Sequence, residues 1–137
     1  MSQANVELVR SIYDAFARGD VGGVLGAMSP TIVWNEAEHN PYADGNPYTG
    51  PQAVANGVFA RCITEWQGFC VNVEELLDAG DTIVMLGRYG GTFVRTGRAQ
   101  SPQVVHIWRI ADGKAVKFQQ HIDTLHLAHV MGTSFTG

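Results

Sequence analysis

Residues 106–124 read HIWRIADGKAVKFQQHIDT, two strand-like stretches joined by the turn sequence ADGK. Asp and Gly at such a turn tolerate the backbone conformations that a tight hairpin requires. Side chains two positions apart on a strand share a face, so His106 and Trp108 point the same way. On the second strand, one face carries Gln119, His121 and Asp123. The stretch therefore predicts a hairpin that can bring a histidine and a carboxylate together on neighbouring strands.

A second hairpin is predicted just before the first. Residues 69–94 read FCVNVEELLDAGDTIVMLGRYGGTFV, in which DAGD carries turn chemistry between two β-rich runs. The two hairpins together predict a four-stranded antiparallel meander. Residues 87–98, GRYGGTFVRTGR, place glycines inside these strands, which indicates a bend in a strongly curved sheet.

The N-terminal half of the chain predicts helices. An apolar stripe at steps of three and four indicates a helix from about Asn5 to Ala17; the stripe consists of Val6, Val9, Tyr13 and Phe16. Asp20 is suited to cap a second short helix, over Val24, Leu25 and Met28. Residues 50–63, GPQAVANGVFARCI, predict a third helix, and residues 124–132 a short closing one. The pattern predicts an α+β cone, with helices folded against one face of a curved sheet.

Composition excludes several classes of protein. The 137 residues are 45% hydrophobic and 16% charged, which fits one domain over residues 1–137. With a formal charge of −4 and nine scattered Lys and Arg, the chain has no basic patch for nucleic acid. No signal peptide and no apolar run of about 20 residues is present, so we expect a cytoplasmic protein without a membrane partner. Cys62 and Cys70 are expected to be reduced packing residues.

This order of elements resembles the SnoaL-like group of the NTF2-like superfamily. The resemblance is carried by YDAFARGD at 13–20, GPQAV at 50–54, LDAGDTIVMLGRY at 77–89 and the hairpin at 106–124. The superfamily includes ketosteroid isomerases, polyketide cyclases, scytalone dehydratase and limonene epoxide hydrolase. The resemblance implies a ligand cavity between three helices and the concave face of a mainly antiparallel sheet, and a homodimer.

The same resemblance implies catalytic residues. His106 and Asp123 match the histidine and aspartate that polyketide cyclases of the group carry on their last two strands. Glu36 falls where ketosteroid isomerases carry their general base, and His106 falls near the acid of their oxyanion hole. The tyrosine of that hole has no exact match, because Ile12 takes its place and Tyr13 lies one residue along.

Chemistry explains why such residues suit a proton transfer. Removal of a proton next to a carbonyl needs a base within about 3 Å and a donor to the oxygen that gains charge. A carboxylate among aromatic rings is poorly hydrated, which raises its pKa and strengthens it as a base. We expect Asp123 or Glu36 to be the base and His106 to be the donor or orienting group. The residues expected to bind substrate are Trp34, Tyr13, Phe59, Trp66, Trp108, Gln119 and His121.

Each catalytic assignment has a structural alternative. Asp123 may instead be read as the N-cap of the final helix, and His106 as an interior histidine with satisfied hydrogen bonds. Glu36 and Glu38 also fit a solvated strand end. Residues 40–48, which are rich in Pro and Tyr, are expected to form a lid or rim.

Other activities of the superfamily fit less well or stay open. The strand QVVHIWR lacks the Asp-Arg-Asp arrangement of limonene epoxide hydrolase. The residues that keep a dehydratase open are His106, His121, Tyr42 and Tyr48. Residues 121–129, HIDTLHLAH, contain zinc-type ligands, but these would have to meet across a strand-to-helix corner. We expect no metal and no cofactor.

The sequence therefore predicts a cofactor-independent isomerase, cyclase or dehydratase that acts on a small apolar carbonyl compound. The alternative is a non-catalytic ligand-binding or dimerisation domain of the same fold.

Overall fold

A computed structural model describes residues 2–133 of the chain. Helix α1 spans Gln3–Ala17, and its first turn is capped by Ser2, whose hydroxyl accepts from the Asn5 N–H. Its apolar stripe buries Val6 and Val9, as the periodicity predicts, together with Ile12. The half-buried Tyr13 lies at the edge of this stripe.

Helix α2 spans Val21–Gly26 and begins at the predicted cap, since the Asp20 carboxylate accepts from the Gly23 N–H at 2.9 Å. Met28 was expected in this helix but begins strand β1, Met28–Asn35, where it pairs with Ala115. The correction has a simple cause: two residues later Pro30 disfavours a helical conformation in the residue before it.

The third helical segment is continuous but not uniform. It consists of helix α3 at Pro51–Val54, a π-helical turn at Ala55–Phe59 and helix α4 at Ala60–Thr64. A π-helical turn inserts one extra residue into a helix, and such insertions are frequent at functional sites. Here the turn carries Val58 and Phe59, both of which are buried.

Seven strands form one sheet. In addition to β1 these are β2 Tyr48–Thr49, β3 Trp66–Ala79, β4 Thr82–Phe93, β5 Arg98–Ala99, β6 Gln103–Ala111 and β7 Lys114–Ile122. Their order is β2-β1-β7-β6-β4-β3, with β5 paired to β4. The meander β3-β4-β6-β7 is antiparallel as predicted, whereas β1 joins β7 in parallel. The closing helix α5 spans Thr124–Met131.

The register of the sheet decides which side chains face the helices. One row across β4, β6 and β7 consists of Ile83, Trp108 and Phe118. The next row consists of Met85, His106 and Gln120. All six side chains are buried, so these rows define the inner face of the sheet.

The expectation that His106 and Asp123 face one cavity is wrong. Because Gln120 lies opposite His106, the alternating positions Gln119 and His121 fall on the outer face. Asp123 follows the end of β7 and is exposed. The resemblance had identified the correct strands, but the spacing of the residues along β7 sends this set outward.

The core lies between the helices and the inner face, and aromatic rings dominate it. The Trp34 and Phe118 rings stack with their centroids 3.6 Å apart, and Trp108 meets both of them edge-on. Cys62 is buried in this core as expected, but Cys70 is exposed, so the packing role predicted for Cys70 is wrong. Within residues 2–133, no helix combines the length and the apolar character needed to cross a membrane.

Candidate functional site

A small cavity lies between the helices and the inner face of the sheet. Its apolar wall includes Phe16, Trp34, Phe59, Trp66, Phe69 and Leu127. Its polar wall includes Glu36, Asn40, Tyr42, Tyr89, Gln100 and Gln120. The volume is about 50 Å3, which is room for about four water molecules. A ligand larger than this must displace part of the wall.

The Glu36 carboxyl group is the acidic group of the cavity wall. The residue follows the end of β1 and is 3% exposed, and its Oε2 accepts a hydrogen bond from Trp34 Nε1 at 3.0 Å. Burial raises the pKa of Glu36 to about 7, although the Trp34 bond and the Arg61 charge act in the opposite direction. A carboxyl group with this pKa can hold or release a proton near neutral pH.

The backbone of Glu36 is fixed by one side chain. Its N–H donates to Asn46 Oδ1 at 3.0 Å, and its carbonyl oxygen accepts from Asn46 Nδ2 at 2.8 Å. This pair of bonds holds the residue at the point where β1 ends, and it turns the carboxyl group toward the aromatic core.

His106 lies between two tyrosines. Its Nδ1 is 2.7 Å from the hydroxyl oxygen of Tyr13, and its Nε2 is 2.6 Å from that of Tyr89. The residue is 5% exposed, and burial lowers its pKa to about 3. The imidazole is therefore neutral near pH 7, with one nitrogen donating and the other accepting.

Each tyrosine oxygen also accepts a bond from a second donor. Trp108 Nε1 donates to Tyr13 at 2.8 Å, and Gln120 Nε2 donates to Tyr89 at 2.8 Å. The orientation of the Gln120 amide is fixed, because its Oε1 accepts from the Ala37 N–H and from Asn40 Nδ2. A hydrogen-bonded chain thus runs from Trp108 through both tyrosines to Gln120.

Gln100 has one partner for its amide rather than two. Its Nε2 donates to the Gly90 carbonyl oxygen at 3.0 Å. Its Oε1 is, among the described residues, the one buried side-chain N or O atom without a hydrogen-bond partner. The residue is 4% exposed and lines the cavity.

The segment expected to form a rim packs beside the cavity. Residues Pro41–Gly45 form a short 3-10 helix, which buries Tyr42. Arg61 lies 4.4 Å from the centre of the Tyr42 ring, and its Nη2 bonds Asp44 at 2.7 Å and the Tyr48 hydroxyl at 2.9 Å. The Arg61 bond holds the pKa of Asp44 below its usual value.

Most of the residues singled out in the sequence meet at this site. Those that line the cavity are Trp34, Glu36, Phe59 and Trp66, and those in the adjoining chain of hydrogen bonds are Tyr13, His106 and Trp108. Gln119 and His121 do not reach it, because they lie on the outer face of β7. Without His121 the cavity also lacks the histidine pair considered for a dehydratase.

Asp123 has a structural role at the other side of the sheet. Its carboxylate accepts from the His126 N–H at 3.1 Å and caps α5. His126 Nε2 in turn accepts from the Ser101 N–H at 3.0 Å. The residues of HIDTLHLAH thus serve the strand-to-helix corner.

Sequence reasoning missed several polar residues of the wall. Gln120 could have been found, since it shares a strand face with the apolar Phe118 and Ile122, where a polar side chain needs a partner. Tyr89 lies in the stretch interpreted as a bend, and its alternation with Met85 and Gly87 gives the same signal. Asn40 and Gln100 lie outside the long strands, where no periodicity indicates their direction.

A family comparison gives one match. The model of the SnoaL-like domain matches residues 9–118. A search of the curated proteins found no match.

Solved structures cover nearly the whole chain. An NTF2-like protein from Burkholderia thailandensis is 35% identical, with 95% of this chain and 98% of that chain covered and a TM-score of 0.89. An NTF2-like protein of unknown function from Burkholderia pseudomallei is 32% identical, with 96% and 98% covered and a TM-score of 0.85. TerC, co-crystallised with polyporic acid, is 26% identical, with 96% and 100% covered and a TM-score of 0.84.

Proposed function

Because the chain belongs to the SnoaL-like domain family, we propose that it is a cofactor-independent proton-transfer enzyme acting on a small apolar carbonyl compound in its cavity. The observation that carries this proposal is Glu36, a carboxyl group buried among aromatic rings with a pKa of about 7. A carboxyl group held only for stability costs free energy in such a place, whereas a general base gains strength from it.

Glu36 is the base in this mechanism. Its carboxylate takes a proton from the carbon next to the carbonyl group, and the electron pair of the broken C–H bond becomes the carbon–carbon double bond of an enolate. The carbonyl electron pair moves to oxygen. Glu36 then returns the proton to the same or another carbon, and return to another carbon gives an isomer.

Tyr89 is the donor to the enolate oxygen. A neutral His106 accepts from one tyrosine and donates to the other, and the tyrosine that accepts keeps its own proton for a further partner. Beyond its chain partners, Tyr13 faces a small space lined by apolar side chains such as Ile12 and Val24. Tyr89 faces the cavity instead. The arrangement with Nε2–H donating to Tyr89 therefore leaves the free O–H where a ligand oxygen can accept it.

His106 is then a positioning residue. Trp108, Tyr13 and His106 donate in sequence toward Tyr89, and Gln120 donates to it as well. Hydrogen bonds in such a chain polarise one another, which makes the Tyr89 hydroxyl a stronger donor. TerC supports a cyclic carbonyl ligand by similarity, because polyporic acid is a quinone.

The test is deuterium incorporation next to the carbonyl of α-tetralone, indanone and cyclohexenone, followed by mass spectrometry in deuterium oxide. We expect wild-type protein to accelerate exchange in at least one ketone, and Glu36→Gln to lose about a hundredfold or more. Glu38→Gln is the matched control, because Glu38 is an exposed neighbour outside the cavity. Binding without accelerated exchange would instead support the non-catalytic ligand-binding domain.

Two further expectations remain predictions. The homodimer through the sheet would cover apolar side chains such as Val73 and Leu77, which are exposed on β3. Light scattering of the purified protein measures its mass directly, and a monomer at micromolar concentration would contradict the dimer. A cytoplasmic location is to be tested by cell fractionation.

A further inference from the structure

The Gln100 side chain is held in one orientation. Its Nε2 must face the Gly90 carbonyl oxygen, which can only accept, so its Oε1 must point the other way. The backbone of Gln100 is fixed as well, since its N–H donates to the Gly91 carbonyl oxygen at 2.9 Å. Rotation of the amide would place two acceptors together at Gly90. The free acceptor is therefore built into the site.

Glycine permits this close approach of Gln100 to β4. Gly91 has a φ of +114°, and a Cβ there would lie 3.0 Å from the Phe69 Cα. Only glycine adopts this conformation without strain. The bend at Gly90 and Gly91 thus brings Gln100 against the cavity wall that carries Tyr89.

A buried acceptor without a partner destabilises the protein by about 1–3 kcal/mol. Native proteins rarely keep such an atom unless it has a function. At Gln100 Oε1 the missing partner is an N–H or O–H group, because a carbonyl oxygen can only accept. A ligand that supplies this donor in the cavity removes the cost.

We propose that Gln100 determines specificity in this cavity, and that the ligand is a hydroxyl-bearing carbonyl compound whose O–H donates to Gln100 Oε1. The carbonyl oxygen of the same ligand accepts from Tyr89. This inference rests on the proposed function for the role of Tyr89, whereas the demand for a donor at Gln100 comes from the orphaned acceptor alone.

Matched ligands test this proposal without a need for turnover. Hydroxytetralones carry the donor at different positions of the ring, and the corresponding methoxytetralones replace it by an acceptor of similar shape. Titration calorimetry measures the Kd of each pair for wild type, Gln100→Leu and Gln103→Leu. Gln103 is exposed on β6 and serves as the control.

We expect wild type to bind at least one hydroxytetralone about tenfold or more tightly than its methoxy counterpart. Gln100→Leu should reduce this preference to less than about twofold, and Gln103→Leu should keep it. If Gln100→Leu does not fold, Gln100→Met replaces it.

Three results overturn the proposal: binding of no hydroxytetralone by wild type, an absence of preference for hydroxyl over methoxy, and a preference that survives in Gln100→Leu. The last two would mean that water is a sufficient partner for the Gln100 oxygen or that the hydroxyl binds elsewhere. Failure here is distinguishable from failure of the proposed function, because exchange into unsubstituted α-tetralone by Glu36 does not depend on the hydroxyl group.

Discussion

The Nε2 atom of His106 lies 2.6 Å from the hydroxyl oxygen of Tyr89 on the neighbouring strand β4. Because Tyr13 occupies the other ring nitrogen, His106 has no nitrogen left for a ligand. The histidine that the resemblance identifies as a catalytic group therefore acts through Tyr89. This relationship separates the groups that touch a ligand from those that orient them.

Tyr89→Phe should lower the rate of deuterium exchange by about a hundredfold, since one donor to the developing oxyanion is lost. The free energy of unfolding should fall by about 1–2 kcal/mol, because His106 and Gln120 each lose a partner. Tyr13→Phe is the comparison: it retains the Tyr89 hydroxyl, so its rate loss should be smaller at a similar loss of stability. Equal rate losses would argue against Tyr89 as the donor.

Stability should depend on pH through Glu36. Burial raises its pKa from 4.5 to about 7, so the folded protein binds the proton more tightly than the unfolded chain does. The resulting stability is complete below pH 4.5 and is lost as the pH rises through about 7. Denaturant titrations of wild type should show this decline with a slope of up to about 1.4 kcal/mol per pH unit. In Glu36→Gln the decline should be absent; an unchanged decline would assign it to another group.

His106 should act in the opposite direction. Burial lowers its pKa from 6.5 to about 3, so the unfolded chain binds the proton more tightly. Its contribution to stability is complete above pH 6.5 and is lost as the pH falls toward 3. The same titrations, done in Glu36→Gln to isolate this effect, should show stability falling below pH 6.5. NMR of the imidazole should show the neutral Nε2–H form at pH 6, and a protonated ring at that pH would contradict the assignment.

Asp123 should behave as a helix cap. Asp123→Asn retains a side chain that caps well, whereas Asp123→Ala removes the bond to the His126 N–H and should cost about 1 kcal/mol of stability. Deuterium exchange into the ketone should be the same in both variants as in wild type. A large loss of exchange in Asp123→Asn, with stability preserved, would restore the aspartate as a catalytic group.

Arg61→Ala should loosen the segment of residues 41–48. The guanidinium group joins Asp44 and Tyr48 and covers the Tyr42 ring, so its removal frees the wall beside the cavity. We expect faster amide hydrogen exchange in this segment and faster ligand release. Arg18→Ala is the control, because its pair with Asp20 is exposed at both ends and distant in sequence. Protection unchanged from wild type would show that the segment is held by other contacts.

The fold was predictable because its signals are local. The stripe of α1, the cap at Asp20 and the turns of the two hairpins are each fixed by residues close in sequence. The parallel pairing of β1 with β7 has no such local signal, since the two strands are distant in the chain.

The site was predictable only in part. Trp34 and Glu36 follow from their place at the end of β1, and His106 from the apolar alternation of β6. Asp123 and His121 were misplaced because the alternation along β7 fits two choices of inner face, and the apolar Phe118 and Ile122 should have decided it. Gln100 depends on a bend at glycine and on contacts distant in sequence, which no pattern in its own neighbourhood indicates.

The pH dependence of kcat/KM for deuterium exchange into α-tetralone, measured for wild type and Glu36→Gln, tests the central claim most directly. For wild type we expect the rate to rise to a plateau with a midpoint near the Glu36 pKa of about 7, because the carboxylate form is the base. Glu36→Gln should lose both the exchange and the midpoint. Exchange that persists in Glu36→Gln with an unchanged pH profile would contradict the assignment of Glu36 as the base.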